Sequence, residues 1–211
     1  MEYRKLGRTD LSVSALCLGT MTFGQQNNEV EGHAQLDYAF SRGVNFLDTA
    51  ELYSIPPRPE TQGSTERIVG SWLKKRGGRD KAIIATKVAG RGEMTWIRED
   101  NAPTRLDKKN IAYAVEASLR RLQTDYIDLY QLHWPDRSVA LFGSDGTVWR
   151  QPSGREEVPI AETLAALDEL VKAGKVRYIG LSNFMAWQAA TAVMPAGASW
   201  IEEIRDGADA L

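Results

Sequence analysis

The stretch VNFLDTAELYSIPPRPETQG, residues 44–63, joins an apolar run to a proline-rich loop. Short apolar runs of this kind are typical of buried strands, so residues 44–48 are predicted to form a strand that ends at Asp48. Tyr53 follows five residues later, and three prolines stiffen the loop beyond it. Either Asp48 only bonds backbone amides in the turn after its strand, or Asp48 and Tyr53 belong to a functional site.

The chain as a whole alternates between short apolar runs and longer segments with helical spacing. Four further runs predict strands, at residues 14–19, 82–88, 126–133 and 176–182. Helices are predicted between the strands, at about residues 30–42, 64–76, 107–122 and 160–173. In the third helix Asp107 is the predicted N-cap, and one apolar stripe is formed by Ile111, Val115, Leu119 and Leu122. This order predicts parallel strands covered by helices, and residues 3–14 predict a preceding hairpin around Gly7.

Two architectures are built from parallel strands and helices: an open doubly wound sheet and a closed barrel, both with their chemistry at the carboxyl ends of the strands. The chain contains neither G-x-G-x-x-G nor G-x-x-x-x-G-K-[ST], the patterns usual in nucleotide-binding open sheets. Polar residues stand instead at the ends of several predicted strands: Thr20, Asp48, Lys87, His133, Ser182 and Asn183. This distribution favours a barrel mouth, and a non-consecutive strand order would favour an unrelated five-stranded doubly wound protein.

Composition excludes several classes of function. The formal net charge of -2 provides no basic surface for nucleic acid. There is no run of about 18 apolar residues, which argues against a membrane span, and the start MEYRKLGRTD lacks the apolar core of a signal peptide. A cytoplasmic location is therefore expected.

Cys17 is the single cysteine of the chain, which excludes an internal disulfide and a cysteine-based metal site. No metal site is expected. Cys17 itself is predicted to be a small buried apolar residue.

Taken singly, each polar residue at a strand end has an ordinary structural explanation. Tyr53 could pack on the proline-rich loop, Lys87 could stand where a strand meets solvent, and His133 could be a hydrogen-bonded histidine at a strand end. A barrel would nevertheless bring these side chains and Asp48 together from three strands and one adjoining loop.

Several segments resemble motifs of the aldo-keto reductase family, in the same order and at similar spacings. They are LGTMTFG, FLDTAELY, IIATKV, DLYQLHWPD and IGLSNF, and they are distributed over residues 18–184. Two more, PPRPETQG and SLRRLQTDYIDLYQLHWP, resemble the bacterial Tas-like subgroup in particular. The resemblance implies a (β/α)₈ TIM-type barrel and the NADPH-dependent reduction of aldehydes or ketones, with a small-molecule carbonyl compound as substrate.

By this resemblance the catalytic residues are Asp48, Tyr53, Lys87 and His133. Carbonyl reduction adds a hydride to carbon and a proton to oxygen, so the site needs a hydride carrier and a general acid. Tyr53 is implied to donate the proton, with Lys87 stabilising the phenolate and Asp48 holding Lys87 charged and in place. His133 is implied to donate a hydrogen bond to the substrate oxygen.

The same resemblance points to residues that line the nicotinamide of NADP(H): Thr20, Met21, Asp48, Ser182 and Asn183. The alternative for the small polar residues among them is strand termination, in which they satisfy backbone groups.

Only about five of the eight βα units of such a barrel are found. Residues 1–184 are therefore interpreted as an incomplete aldo-keto reductase barrel preceded by a hairpin. Residues 185–211 form a tail that does not match the family pattern, with a helix at about residues 187–193. The family member is thus expected to be truncated at its C-terminus, and self-association or a partner chain is expected to cover the open barrel edge.

Two hypotheses follow about activity. One is an active reductase. The other is a catalytically silent remnant or interaction module.

In the long insertion after the fourth parallel strand, the residues Trp134, Phe142 and Trp149 either form a lid or pack that loop onto the body.

Overall fold

A computed structural model describes residues 1–137, 154 and 156–193 of the chain. It begins with an antiparallel hairpin of β1 (Tyr3–Lys5) and β2 (Ser12–Ser14). A five-stranded parallel sheet follows, composed of β3 (Cys17–Gly19), β4 (Phe46–Asp48), β5 (Ile83–Val88), β6 (Ile127–Leu132) and β7 (Val176–Leu181). The strand order is β3-β4-β5-β6-β7, consecutive in the chain, as in a segment of a barrel. The doubly wound alternative is therefore wrong.

In the described part of the chain, four α-helices alternate with the parallel strands and a fifth follows the last strand. They are α1 (Glu29–Ser41), α2 (Ser64–Arg76), α3 (Lys108–Leu122), α4 (Ile160–Lys172) and α5 (Ala186–Val193). Helix α3 begins where the sequence predicts, because the Asp107 side chain accepts a hydrogen bond from the backbone N–H of Asn110. Helix α2 ends at Gly77, whose φ of 69° places it in the left-handed region that favours glycine.

The sheet has two faces with different partners. Its outer face contains Leu47, Ile84 and Leu132, which pack with the helices in the main hydrophobic core. The predicted stripe of α3 lies in this core, with all four of its members buried: Ile111, Val115, Leu119 and Leu122. Because apolar side chains of the strands and of the helices meet here, this layer supplies most of the burial that stabilises the fold.

The inner face carries the alternate residues of the same strands. Register places Asp48 beside Gly19 and Ala85, and Lys87 beside Gln131. The hairpin covers the amino-terminal end of this face, where Leu11 and Val13 pack against Ile83. The carboxyl-terminal end of the inner face is therefore left for polar side chains.

Cys17 differs from its prediction, because the residue is exposed. It belongs to β3, an edge strand of the sheet, so only the β4 side of its backbone is covered. Although the residue as a whole is exposed, partial desolvation of its thiol and, secondarily, the nearby Asp48 carboxylate raise the pKa of that thiol to about 12, against a smaller lowering by Lys87.

The tail and the long insertion are described in part. Residues 186–193 form α5, close to the helix predicted there, whereas residues 194–211 lie outside the described part. Trp134 lies inside it, and Phe142 and Trp149 lie outside it. No helix in the described ranges is long and apolar enough to cross a membrane.

Candidate active site

Lys87 stands at the centre of the candidate site. Strand β5 carries it on the inner face, and only 5% of the residue is exposed. Its Nζ donates hydrogen bonds to Asp48 Oδ2 at 2.6 Å and to the Thr49 backbone oxygen at 3.0 Å, and it lies 3.5 Å from the Tyr53 hydroxyl. The three protons of the ammonium thus face three oxygens, which fixes the direction of the side chain.

Asp48 and Tyr53 reach Lys87 from the end of β4 and from the loop after it. The Asp48 side chain is 29% exposed, so its carboxylate pairs with Lys87 at the border of the solvent. Tyr53 is buried, and its backbone N–H donates to the Ala50 oxygen in a tight turn. Sequence separation of 34 and 39 residues from Lys87 is therefore bridged by the parallel pairing of β4 with β5.

His133 follows the last residue of β6. Its backbone N–H donates to the Val88 oxygen at 2.9 Å, which continues the pairing of β6 with β5. The imidazole and Tyr53 rings form a T-shaped pair with a centroid distance of 5.5 Å. Burial, and secondarily the positive charge of Lys87, lowers the pKa of His133 to about 3. The imidazole is therefore neutral near pH 7.

The four residues predicted from sequence to be catalytic thus lie together at the carboxyl ends of β4, β5 and β6. Gln131 joins them without having been predicted, because its Nε2 lies 3.3 Å from Asp48 Oδ1. The signal was available in principle: Gln131 precedes His133 by two positions, the spacing of side chains on one face of a strand. Together Lys87 and Gln131 engage both oxygens of the Asp48 carboxylate.

The loops after β5 and β6 are closely packed. A Cβ atom on Gly90 would lie 2.1 Å from the backbone oxygen of Trp134, so no larger residue fits there. Trp134 is buried and donates from Nε1 to the Arg91 backbone oxygen at 2.8 Å. Of the two roles considered for Trp134, the structure therefore favours packing the loop onto the body over forming a lid.

A small apolar cluster, which we call the mouth cluster, connects the three loops of the site. Its buried members are Leu52, Ala89, Ile97 and Trp134, and Ile55 and Met94 pack against them. Leu52 belongs to the loop that carries Tyr53, and Ala89 follows Lys87 by two residues. The loops are thereby held by an apolar contact separate from the main core.

Apart from Asp48, which ends β4, the residues expected at the nicotinamide lie at opposite edges of the described sheet. Thr20 is buried after β3, and its hydroxyl donates to the Asp48 backbone oxygen at 2.8 Å, which is the strand-terminating role. Met21 is 45% exposed, and its backbone oxygen accepts from Ile55 N–H. At the other edge the Ser182 N–H donates to the Leu132 oxygen, and the Asn183 amide nitrogen donates to the His133 backbone oxygen at 2.8 Å.

Asn183 is the more distinctive member of this pair. Its φ is 57°, a left-handed conformation that residues other than glycine adopt infrequently and that often occurs at functional sites. Within the described ranges, no group of three or more His, Cys, Asp or Glu side chains could hold a metal ion.

Comparison with known proteins identifies the family of the chain. The model of the aldo/keto reductase family matches residues 15–201. The chain belongs to the aldo/keto reductase family. Its resemblance to the Tas-like subgroup is confirmed, because it is 53% identical to protein Tas of Escherichia coli over 189 residues, 89% of this chain and 53% of that protein.

Solved structures of aldo-keto reductases share the fold. The holo form of AKR11C1 from Bacillus halodurans superposes with a TM-score of 0.64 at 39% identity, covering 87% of this chain and 51% of that one. Thermostable Tm1743, solved with the inhibitor epalrestat, gives a TM-score of 0.69 at 29% identity, covering 95% and 61%. The expectation of a partial TIM-type barrel is thereby confirmed. The chain spans about half the length of the curated relatives it matches, and the boundary predicted at residue 184 stays a prediction.

Proposed function

We propose that this aldo/keto reductase chain carries the acid-base machinery for the NADPH-dependent reduction of a small-molecule aldehyde or ketone in the cytoplasm. One observation carries the proposal: the Lys87 ammonium lies 2.6 Å from the Asp48 carboxylate and 3.5 Å from the Tyr53 hydroxyl, with the His133 ring against Tyr53. These are the groups that a carbonyl reductase needs beside its hydride carrier.

Tyr53 is the proposed proton donor. When its hydroxyl gives its proton to the substrate oxygen, a phenolate forms next to Lys87, and the adjacent ammonium stabilises this charge in a site that is largely shielded from water. Asp48 keeps Lys87 directed at Tyr53, and Gln131 supports Asp48 from the next strand.

His133 takes a different part in this proposal. Its pKa of about 3 means that almost no imidazolium exists at neutral pH, so His133 is a poor source of the proton. A neutral imidazole still has one N–H, which can donate a hydrogen bond to the substrate oxygen and orient the carbonyl. The low pKa therefore supports the assignment of the acid role to Tyr53.

The residues at the two sheet edges fit the nicotinamide end of the cofactor in chemical type. Exposed Met21 offers an apolar surface at one edge, and Ser182 with Asn183 offers hydroxyl and amide groups for a carboxamide at the other. When bound, the reduced nicotinamide would supply the hydride to the carbonyl carbon. The chain's own residues would hold the substrate oxygen and deliver the proton.

The proposal is tested by NADPH titration and by turnover. Purified chain of 211 residues is titrated with NADPH while tryptophan quenching is followed, and NADPH oxidation is then measured with a panel of aldehydes and ketones. We expect saturable binding and a carbonyl-dependent rate that falls by about 10²–10⁴-fold in Tyr53→Phe. Tyr38→Phe, an exposed tyrosine on α1, is the matched control and should keep the rate. A folded chain that fails to bind at millimolar NADPH contradicts the proposal.

A second candidate function is an interaction module without catalysis, and the exposed β3 edge of the sheet favours it. At the open edge of the described sheet Leu16, Cys17 and Met21 are all exposed, and an exposed strand edge is a template for pairing with further protein. For an active reductase we propose that a second copy or a partner chain covers this edge. Light scattering with and without NADPH distinguishes the cases: assembly without any NADPH binding supports the interaction module.

A further inference from the structure

A buried ion pair, Glu51 with Arg98, adjoins the candidate site. Neither residue belongs to the four that are assigned to the chemistry. Glu51, between Asp48 and Tyr53 in the chain, is 1% exposed. Both of its carboxylate oxygens accept from the Arg98 guanidinium, at 3.0 Å from Nη1 and 3.1 Å from Nη2. Fork-to-fork pairing of this kind is the most directional form of an ion pair, because it fixes the plane of both groups.

The Glu51 carboxylate also joins two segments of the site. Its Oε1 accepts from the backbone N–H of Ala89 at 2.7 Å, and Ala89 follows Lys87 by two residues. The backbone N–H of Glu51 donates to the Lys87 oxygen at 3.1 Å. Glu51 itself precedes Tyr53 by two residues. Glu51 therefore connects the loop that carries Tyr53 to the segment that carries Lys87, through both its main chain and its side chain.

This connection is anchored to a helix. Arg98 Nε donates to Asn110 Oδ1 at 2.7 Å, and Asn110 in turn donates to the Asp107 carboxylate at the N-terminus of α3. On the other side the Gln62 side chain donates to the Glu51 backbone oxygen at 2.7 Å. Since α3 packs into the main core, the position of Glu51 is set by a rigid element rather than by the loop itself.

We propose that Glu51, held by Arg98, is a positioning residue that sets the separation between Lys87 Nζ and the Tyr53 hydroxyl. The inference rests on the proposed function for its catalytic consequence and on geometry alone for its structural part. Burying the Glu51–Arg98 ion pair costs free energy, and apolar residues at these two positions would stabilise the fold as well. A positioning role gives a reason for the pair to be there. Misplacement of a reacting group by about 1 Å can cost 10²-fold in rate.

The chain offers a matched control in a second buried pair. Glu66 is 0% exposed and accepts from Arg121 Nε at 2.6 Å and from the Thr86 hydroxyl. These contacts lie on the outer face, between α2, α3 and β5. Loss of either glutamate charge leaves a buried guanidinium unpaired at a similar cost in stability, but only Glu51 bonds the segment after Lys87.

The first test uses hydrogen exchange on the free chain, with no cofactor or substrate. In Glu51→Gln one amide oxygen must serve both Ala89 N–H and Arg98, so we expect the amides of residues 49–55 and 87–91 to exchange at least about 10-fold faster than in Glu66→Gln. The double variant E51Q/R98M removes the unpaired cation, and it should show the same local increase if Glu51→Gln alone does not fold. Equal exchange in these segments for the Glu51 and Glu66 variants overturns the inference.

The second test is kinetic. We expect Glu51→Gln to lower kcat by about 10–100-fold with KM changed less than about threefold, whereas Glu66→Gln keeps kcat. Equal losses of kcat in the two variants also overturn the inference. A wild-type chain without turnover overturns the proposed function instead, and the exchange experiment then still decides whether Glu51 positions the two segments.

Discussion

The two faces of one five-stranded sheet differ in what they contribute. On the outer face Leu47, Ile84 and Leu132 are fully buried against helices. On the inner face, at the same strands' carboxyl ends, Asp48 and Gln131 are only partly buried and carry charge or hydrogen-bonding groups. Adjacent positions of a strand thus differ in surroundings: the outer residues lie in the main core, and the inner residues form the candidate site.

The difference follows from what covers each face. Apolar residues of α1, α2, α3 and α4 pack with the outer face in the main core. The hairpin covers the inner face at the amino-terminal end alone, through Leu11 and Val13. Polar side chains can therefore be accommodated at the opposite end, where Lys87 and Asp48 neutralise each other and Asp48 retains contact with water. Substitutions on the two faces should accordingly change different observables.

The largest expected effect is on the inner face. Lys87→Met should lower the carbonyl-dependent rate by about 10²–10⁴-fold, because the phenolate of Tyr53 would lose the adjacent cation. The free energy of unfolding of this variant should change by much less than the activation free energy, since water still reaches the Asp48 carboxylate that is left without Lys87. Steady-state kinetics and urea unfolding measure the two quantities. Lys172→Met, an exposed lysine on α4, is the control, and an equal loss of rate there would remove the distinction between the faces.

The next effect belongs to the outer face. Ile84→Ala and Leu132→Ala should each lower the free energy of unfolding by about 2–5 kcal/mol, because they leave cavities in the main core. Gln131→Ala, one position before Leu132 and on the inner face, should cost clearly less. Urea unfolding monitored by tryptophan fluorescence checks the series, and a larger cost for Gln131→Ala would contradict the assignment of the faces.

His133 should make stability depend on pH. In the folded protein it stays neutral down to about pH 3, whereas in the unfolded chain it binds a proton below about pH 6.5. The unfolded chain therefore binds more protons between these values. This contribution to stability is complete above pH 6.5 and is lost as the pH falls toward 3.

Unfolding at pH 7 and pH 5 measures this effect against His133→Gln. Wild type should lose about 2 kcal/mol more than the variant between the two conditions, since each pKa unit corresponds to about 1.4 kcal/mol. Parallel losses in the two proteins would show that His133 is protonated in the folded state, and would weaken the case for Tyr53 as the acid.

The smallest effect is expected at Tyr130, which is fully buried on the outer face. Its hydroxyl has no hydrogen-bond partner among the described residues, and burial together with the Glu51 and Glu66 carboxylates raises its pKa well above the ordinary value. Tyr130→Phe should thus change the free energy of unfolding by less than about 1 kcal/mol. Tyr178→Phe is the contrast, because that hydroxyl donates to Asp10 at 2.8 Å. A loss of several kcal/mol in Tyr130→Phe would indicate an additional partner.

Much of the fold and of the candidate site could be predicted from sequence, because the signals are local. Apolar runs and helical spacing predicted each parallel strand and helix to within a few residues, and Asp107 marked the start of α3. Polar residues at strand ends predicted a common site, since the carboxyl ends of parallel strands meet at one edge of the sheet. Family motifs then supplied roles for Asp48, Tyr53, Lys87 and His133.

Other features of the fold and site depended on contacts between segments far apart in the chain, which the periodicity of the sequence does not predict. Cys17 was predicted to be buried from its apolar neighbours and is exposed, because its strand lies at the sheet edge. The fit of Gly90 against Trp134 and the pairing of Glu51 with Arg98 join residues 44 and 47 positions apart. By itself the sequence determined the order of elements and the residue types of the site. Tertiary structure decided which side chains meet, because strand register and loop packing convert positions far apart in the chain into distances of about 3 Å.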